Sequence, residues 1–369
     1  MNSLHPREPL PDALRALAMI SVLTVNAMGY TSAPWGEPLG PRTPLDSAWT
    51  AAMQGMAAAL LQGKGYTLLA FVFGMSLWLG ARRQTRPLAL QRSRVRHRRL
   101  LGLGIVHGVF VYFGDILTLY ALIGQRLLKR LYLPWGPLRR HLWHALGWAI
   151  LAKLVLAAIM VGFPSGVGSD GEATLSTVQG WWPFLKLNAG FYAAGAVAGL
   201  IVFGPVLYLC MACGVAAARL RLLTHRRWRA WLRRCLLRWG PPLMALTLAY
   251  GWACAVTAST DDISPWIEVL GDLMTMPVAA VYVAALALAS TGGSAPWCKG
   301  LAPLGQRTLT LYVGHSVVCL VLFSGAGLAL SPTTPETVLF SVGLWLLALK
   351  AAKLSGRQRW PLEAWVGRR

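Results

Sequence analysis

The sequence predicts an all-α, polytopic integral membrane protein, and three observations carry that prediction. Its 369 residues are 56% hydrophobic and 13% charged, against about 25% charged in soluble domains. Apolar runs recur along the whole chain, with 38 Gly and 17 Trp, residue types enriched at close helix crossings and at the lipid–water interface. The net charge of +22 falls in the segments between apolar runs rather than on a soluble basic domain, which argues against nucleic acid as a partner. The composition also excludes a disordered chain and a disulfide scaffold.

A bilayer-crossing helix needs about 20 mostly apolar residues. Ten segments qualify: 13–31, 65–81, 100–113, 116–128, 142–163, 187–217, 239–258, 266–290, 308–328 and 337–352. The first lacks a small-residue cleavage site and reads as a retained span. The whole chain, 1–369, reads as one membrane domain with a short cytoplasmic segment 1–11 and a cytoplasmic tail 353–369. Orientation follows from the bases. The segment 82–99, read as a loop, carries eight arginines, 129–141 carries Lys129, Arg130, Arg139 and Arg140, and 218–238 carries eight more arginines. The alternate loops hold Glu37, Asp46, Asp170, Glu172, Asp261, Asp262 and Glu336. With ten spans every basic loop lies on one side, giving N-in/C-in topology in a bacterial inner membrane. Membrane lipids are then partners, and a homodimer is compatible with the pattern.

Each element raises its own question. In the first span, Arg15 snorkels or binds substrate, and Asn26 either bonds a neighbouring helix or orients a substrate. The stretch 47–64 is rich in small residues and fits an amphipathic or re-entrant helix before the second span, with Lys64 an outer-interface anchor or a substrate contact. The third and fourth spans are short arms of a hairpin. At ~1.5 Å per residue each reaches about 20 Å, and Gly114-Asp115 makes the turn with Asp115 as a helix N-cap. Asp115 is then below the membrane surface, facing protein or water. His107, eight residues earlier, reads as lying two turns away on the same helix face, positioned as a general base. The bland alternative is a capping Asp and a packed His. Lys153 reads as structural, Asp272 as a helix-pairing residue, and His315 as a mid-membrane histidine in the ninth span. Cys210 and Cys213 form a lone C-x-x-C inside an apolar run, read as helix-packing residues. No signature identifies a metal site, a P-loop or a dinucleotide-binding loop.

The arginine-rich segments serve topology and anionic lipid, or dock an anionic cosubstrate such as a nucleotide-bearing thioester. Short broken helices with ionisable groups at membrane depth are equally typical of a proton-coupled transporter or lipid flippase.

Four stretches carry a family resemblance: DALRALAMISVLTVNAMGY at 12–30, GKGYTLLAFVFGMSLWL at 63–79, RRLLGLGIVHGVFVYFGDILTLYALIG at 98–124 and PLGQRTLTLYVGHS at 303–316. In this order they resemble the YeiB-type family of bacterial inner-membrane proteins. That family resembles in turn a superfamily of transmembrane acyltransferases, including the lysosomal heparan-alpha-glucosaminide N-acetyltransferase, on VNAMGY followed by APWG at 25–30 and 33–36. The resemblance implies transfer from cytosolic acyl-CoA to a cell-envelope glycan, lipid or small-molecule acceptor. It implies a catalytic role for Asn26, the Asn of the first span. Read from the residues themselves, His107, Asp115 and His315 are further catalytic candidates, with substrate contacts at Arg15, Ser32, Trp35 and Lys64, cosubstrate contacts at Arg94, Arg96, Arg98 and Arg99 on the arginine-rich face, and no metal; His315 is not carried over from the family. The chain departs from the lysosomal pattern at Ser32, where a His is expected, so His107 backed by Asp115 becomes the candidate base.

Overall fold

A computed structural model describes residues 8–30, 47–162, 174–257, 261–290, 295–356 and 358–367. Ser32 and Trp35 lie outside the described residues, as do Arg368 and Arg369. Among the described residues the chain is helical, with no strand. The elements are α1 (Pro9–Met28), α2 (Ala48–Leu60), α3 (Lys64–Ala81), α4 (Arg86–Phe110), α5 (Leu117–Leu128), α6 (Trp135–Gly162), α7 (Trp181–Val202), α8 (Gly204–Leu220), α9 (Arg229–Val256), α10 (Ser264–Ala289), α11 (Pro296–Gly305), α12 (Thr308–Phe323), α13 (Thr334–Leu354) and α14 (Pro361–Val366).

Among the described residues six stretches are long and apolar enough to cross a bilayer: Pro9–Met28, Ala48–Ala81, Trp135–Gly162, Trp181–Val202, Ser264–Ala289 and Thr334–Leu354. The pair α11–α12 makes a seventh, bent by 61°. The protein is therefore a membrane protein by its helices. Two expected elements differ. The arginine-rich segment expected as a loop over 82–99 is instead the first half of α4, because Arg, Leu and Gln are strong helix formers and Pro87 sits in the first turn. The expected single span over 187–217 is two helices, α7 and α8, broken at Phe203 before Gly204-Pro205; Pro is tolerated in a helix's first turn but not its interior.

α1 is apolar nearly all round and is accordingly the most enclosed helix, packed by α3, α11, α12 and α13. Trp345 of α13 donates its indole N–H to the Ala16 carbonyl at 2.7 Å, tying the last long helix to the first. α3 and α8 cross most closely. A Cβ on Gly74 would lie 1.9 Å from the Met211 carbonyl oxygen, and one on Gly214 equally near that of Phe71. Small residues at such crossings bring backbones into contact, which replaces the hydrophobic effect as the driving force in lipid. α2 uses the same device against α9, where Gly55 and Gly251 meet. By contrast α6 and α7 leave Trp148, Leu154, Trp182 and Ile201 exposed on their outer faces, as lipid-facing helices do.

α4 and α5 form the expected antiparallel hairpin. Gly104 faces Thr118 and Gly124 faces His97, so the two arms run closely in register. Lys64, expected at the outer interface, is buried; its ammonium donates to the Ala58 carbonyl at 3.0 Å and sits over the Tyr250 ring. The cause is local: Gly63 turns the chain at φ +76°, and the lysine folds back to satisfy an open carbonyl at the end of α2.

Candidate functional site

The chain between α4 and α5 runs without helix through residues 111–116. Its open backbone groups, where buried, need partners within the protein. Asn188 of α7 supplies three: its Oδ1 accepts the Phe113 amide at 2.7 Å, and its Nδ2 donates to the Gly108 and Val109 carbonyls at 2.8 Å. Tyr30 donates its hydroxyl to the Val111 carbonyl at 2.9 Å and lies as near to that of Ser316. Tyr112 stacks on Tyr30, with ring centroids 4.8 Å apart. The Ile116 amide reaches the Tyr312 hydroxyl at 3.4 Å.

Asp115 closes the turn. One carboxylate oxygen accepts the Thr118 amide at 2.8 Å, capping α5, and the other meets His107 Nδ1 at 3.0 Å. The two side chains are 1% and 0% exposed. This contact does not arise from two turns of one helix, because α4 ends at Phe110; the chain folds back and brings Asp115 beside His107 across the turn. The Gly104-x-x-x-Gly108 pair makes room: a Cβ at Gly104 would lie 2.8 Å from Asp115 Oδ2, and one at Gly108 2.2 Å from the Tyr192 ring. Thr118 and Tyr192 share a hydroxyl hydrogen bond at 2.9 Å.

The other ring nitrogen, His107 Nε2, is buried and has no hydrogen-bond partner among the described residues. The His107 ring lies 4.9 Å from that of Tyr312. Asn26 of α1 also borders Tyr312, and its buried Nδ2 likewise has no hydrogen-bond partner among the described residues. Buried polar atoms are ordinarily paired. Two open ones lie near the same tyrosine, one a ring nitrogen that can act as a base and the other an amide donor.

The remaining sequence-predicted residues are placed elsewhere. His315 lies one turn beyond Tyr312 but turns toward Cys319 and Phe340, with sulfur 3.6 and 3.7 Å from its two ring nitrogens. Arg15 pairs with Asp12 and with Ser76 of α3, about 16 Å from Asn26 along α1 at ~1.5 Å per residue. Arg94, Arg96 and Arg98 are exposed, and Arg96 stands over the Phe73 ring. Arg99 is occupied by the tail, donating to the Trp365 carbonyl at 3.0 Å. Lys153 and Asp272 form a buried ion pair at 2.5 Å between α6 and α10. Among the described residues no group of His, Cys, Asp and Glu is arranged to hold a metal, and Cys210 and Cys213 are free thiols.

Sequence reasoning passed over Tyr312, Asn188, Tyr192 and Thr118. Their signal was present as i, i+4 spacing of Asn188 and Tyr192 on one helix face and the Gly104-x-x-x-Gly108 pair that receives it.

Fold and site define a polytopic helical membrane protein with a His–Asp pair held inside a helix break. Residues 217–364 match the model of the family described as a protein of unknown function, DUF418. Over 378 aligned residues the chain is 25% identical to the uncharacterized protein YeiB of Escherichia coli (strain K12), covering 91% of this chain and 88% of that relative. Both matches support a likeness to the YeiB-type family. The DUF418 match includes Tyr312 and His315 but not Asn26, His107 or Asp115.

Proposed function

We propose that the protein transfers an acyl group from cytosolic acyl-CoA to a glycan, lipid or small-molecule acceptor of the cell envelope. The observation that supports this reading is the tethering of His107: Asp115 holds Nδ1 and leaves Nε2 buried and without a hydrogen-bond partner among the described residues, with the Tyr312 ring 4.9 Å from the imidazole. A histidine so tethered acts as a general base. The acceptor hydroxyl or amine attacks the thioester carbonyl while Nε2 takes its proton. The Asn26 amide and the Tyr312 hydroxyl stabilise the oxyanion. The carbon–sulfur bond then breaks, and the CoA thiolate leaves with a proton returned from His107.

The same reading sets the protein in the inner membrane with ten crossings, α7 and α8 counted as one, and both termini cytoplasmic. The alternation of basic and acidic loops supports it. A second reading, proton-coupled transport or lipid flipping, is favoured by one observation, the Lys153–Asp272 pair buried between α6 and α10.

The deciding experiment incubates purified protein with radiolabelled acetyl-CoA and longer acyl-CoAs plus an envelope lipid and glycan extract. Label recovered in the extract, and absent with His107→Gln, supports acyl transfer. No thioester binding up to millimolar concentration, together with proton-dependent flux in liposomes, supports transport instead.

A further inference from the structure

Away from the His–Asp site, the arginine-rich end of the bundle carries an unassigned depression. A groove of about 270 Å³ is lined by Arg130, Leu133, Pro137, Arg140, His141 and His144. A second depression of about 300 Å³ adjoins it through the shared His144 and is lined by Trp143, Gly147, Trp148 and Leu151.

The two halves differ in chemistry. The first gathers cations without an anion: among the described residues neither Arg130 nor Arg140 forms an ion pair with a carboxylate. His141 is held in place by Tyr208, whose hydroxyl lies 2.5 Å from its Nε2, and Arg130 and His144 both stand within electrostatic reach of it. Arg130 and Arg140 line the same groove, and like charges so placed repel unless an anion lies between them. The second half is apolar. Trp143 and Trp148 are 67% and 64% exposed, and Gly147 between them leaves open space where a side chain would stand. Along α6 the order is cationic at the helix start and apolar from Trp143 to Leu151, the direction that leads from the interface into the hydrocarbon.

We propose that this groove binds one anionic phospholipid of the adjacent leaflet. Arg130, Arg140 and His144 hold its phosphate, and an acyl chain lies along Gly147 between the two tryptophans. An arginine presents several donors to phosphate oxygens at once, and Trp rings suit the boundary where headgroup meets chain. A soluble phosphate satisfies the first half only. A zwitterionic lipid also presents a phosphate, but its headgroup brings a cation against Arg130 and Arg140 and leaves their net charge uncompensated.

The test uses the full chain reconstituted in nanodiscs of phosphatidylglycerol and phosphatidylcholine, then released into mild detergent for native mass spectrometry. One phosphatidylglycerol per chain is expected to remain, with phosphatidylcholine lost. The R130Q/R140Q double variant lowers that occupancy about tenfold or more, from the affinity two basic residues ordinarily contribute. Gly147→Leu lowers it too, through the chain rather than the charge, at a position where an added Cβ meets nothing within 4 Å. R226Q/R227Q, removing two arginines of the same end, retains the lipid. Wild-type occupancy in R130Q/R140Q, or equal loss in R226Q/R227Q, overturns the proposal. So does binding of glycerol 3-phosphate as tight as that of the intact lipid, which assigns the groove to a soluble phosphate.

Discussion

Asn188 accepts the amide of Phe113 at 2.7 Å, seventy-five residues away in sequence, and thereby satisfies the open backbone of the break between α4 and α5. The same side chain donates to the carbonyls of Gly108 and Val109. Asn188→Leu leaves one amide and two carbonyls without that partner. Each buried group so orphaned costs about 1–3 kcal/mol, so the variant is expected to melt well below wild type in detergent. Asn188→Asp keeps the acceptor and loses the donor, and its midpoint should fall between the two.

Asp115 does two jobs, and substitution separates them. Asp115→Asn keeps an oxygen for the Thr118 amide but is an amide rather than an anion toward His107. The hairpin is expected to stay folded while any reaction that uses His107 as a base slows by about 10²–10⁴. Asp115→Ala loses the cap as well, adding about 1 kcal/mol of destabilisation. Equal activity of wild type and Asp115→Asn at matched folded yield would remove His107 from the chemistry.

The ion pair between Lys153 and Asp272 should behave as buried pairs do. Removing one partner, as in Lys153→Met, strands a buried carboxylate and costs about 3–5 kcal/mol, whereas replacing both with apolar residues is far milder. A thermal-melting cycle with Lys153→Met, Asp272→Leu and the double variant checks this. The double variant is expected to recover most of the loss, and additive losses would show that the pair contributes nothing as a pair.

Gly74 and Gly80 lie on the same helix with opposite surroundings. An added methyl at Gly74 meets the Met211 backbone, while at Gly80 it meets nothing within 4 Å. Gly74→Ala is expected to cut the monodisperse fraction on size-exclusion chromatography severely, and Gly80→Ala to leave it unchanged or slightly raised, given the better helix propensity of Ala.

His107 and Asp115 were legible from sequence because an ionisable residue in an apolar run has a cost that demands explanation. Their contact was legible too, though it comes from chain reversal at Phe110 rather than from helical spacing. Tyr312 was not, since a tyrosine in an apolar helix has the same signature at an interface as beside a buried histidine. His315, three residues on, stood out more and is turned toward Cys319. Arg99 illustrates a further limit: nothing in a run of arginines tells which one the distant Trp365 carbonyl will occupy. Long-range partners of this kind are set by how the helices dock, and apolar periodicity gives each helix only a face, not a neighbour.

The span between the Ile116 amide and the Tyr312 hydroxyl, 196 residues apart, also sets an order of events. Translation at ~5–20 residues per second leaves the hairpin waiting on the order of 10–40 s for the tyrosine that completes its surroundings. The tail that engages Arg99 arrives later still. Residues 107–115 are thus made well before Tyr312, the ring beside His107, and the site is completed only when α12 has followed.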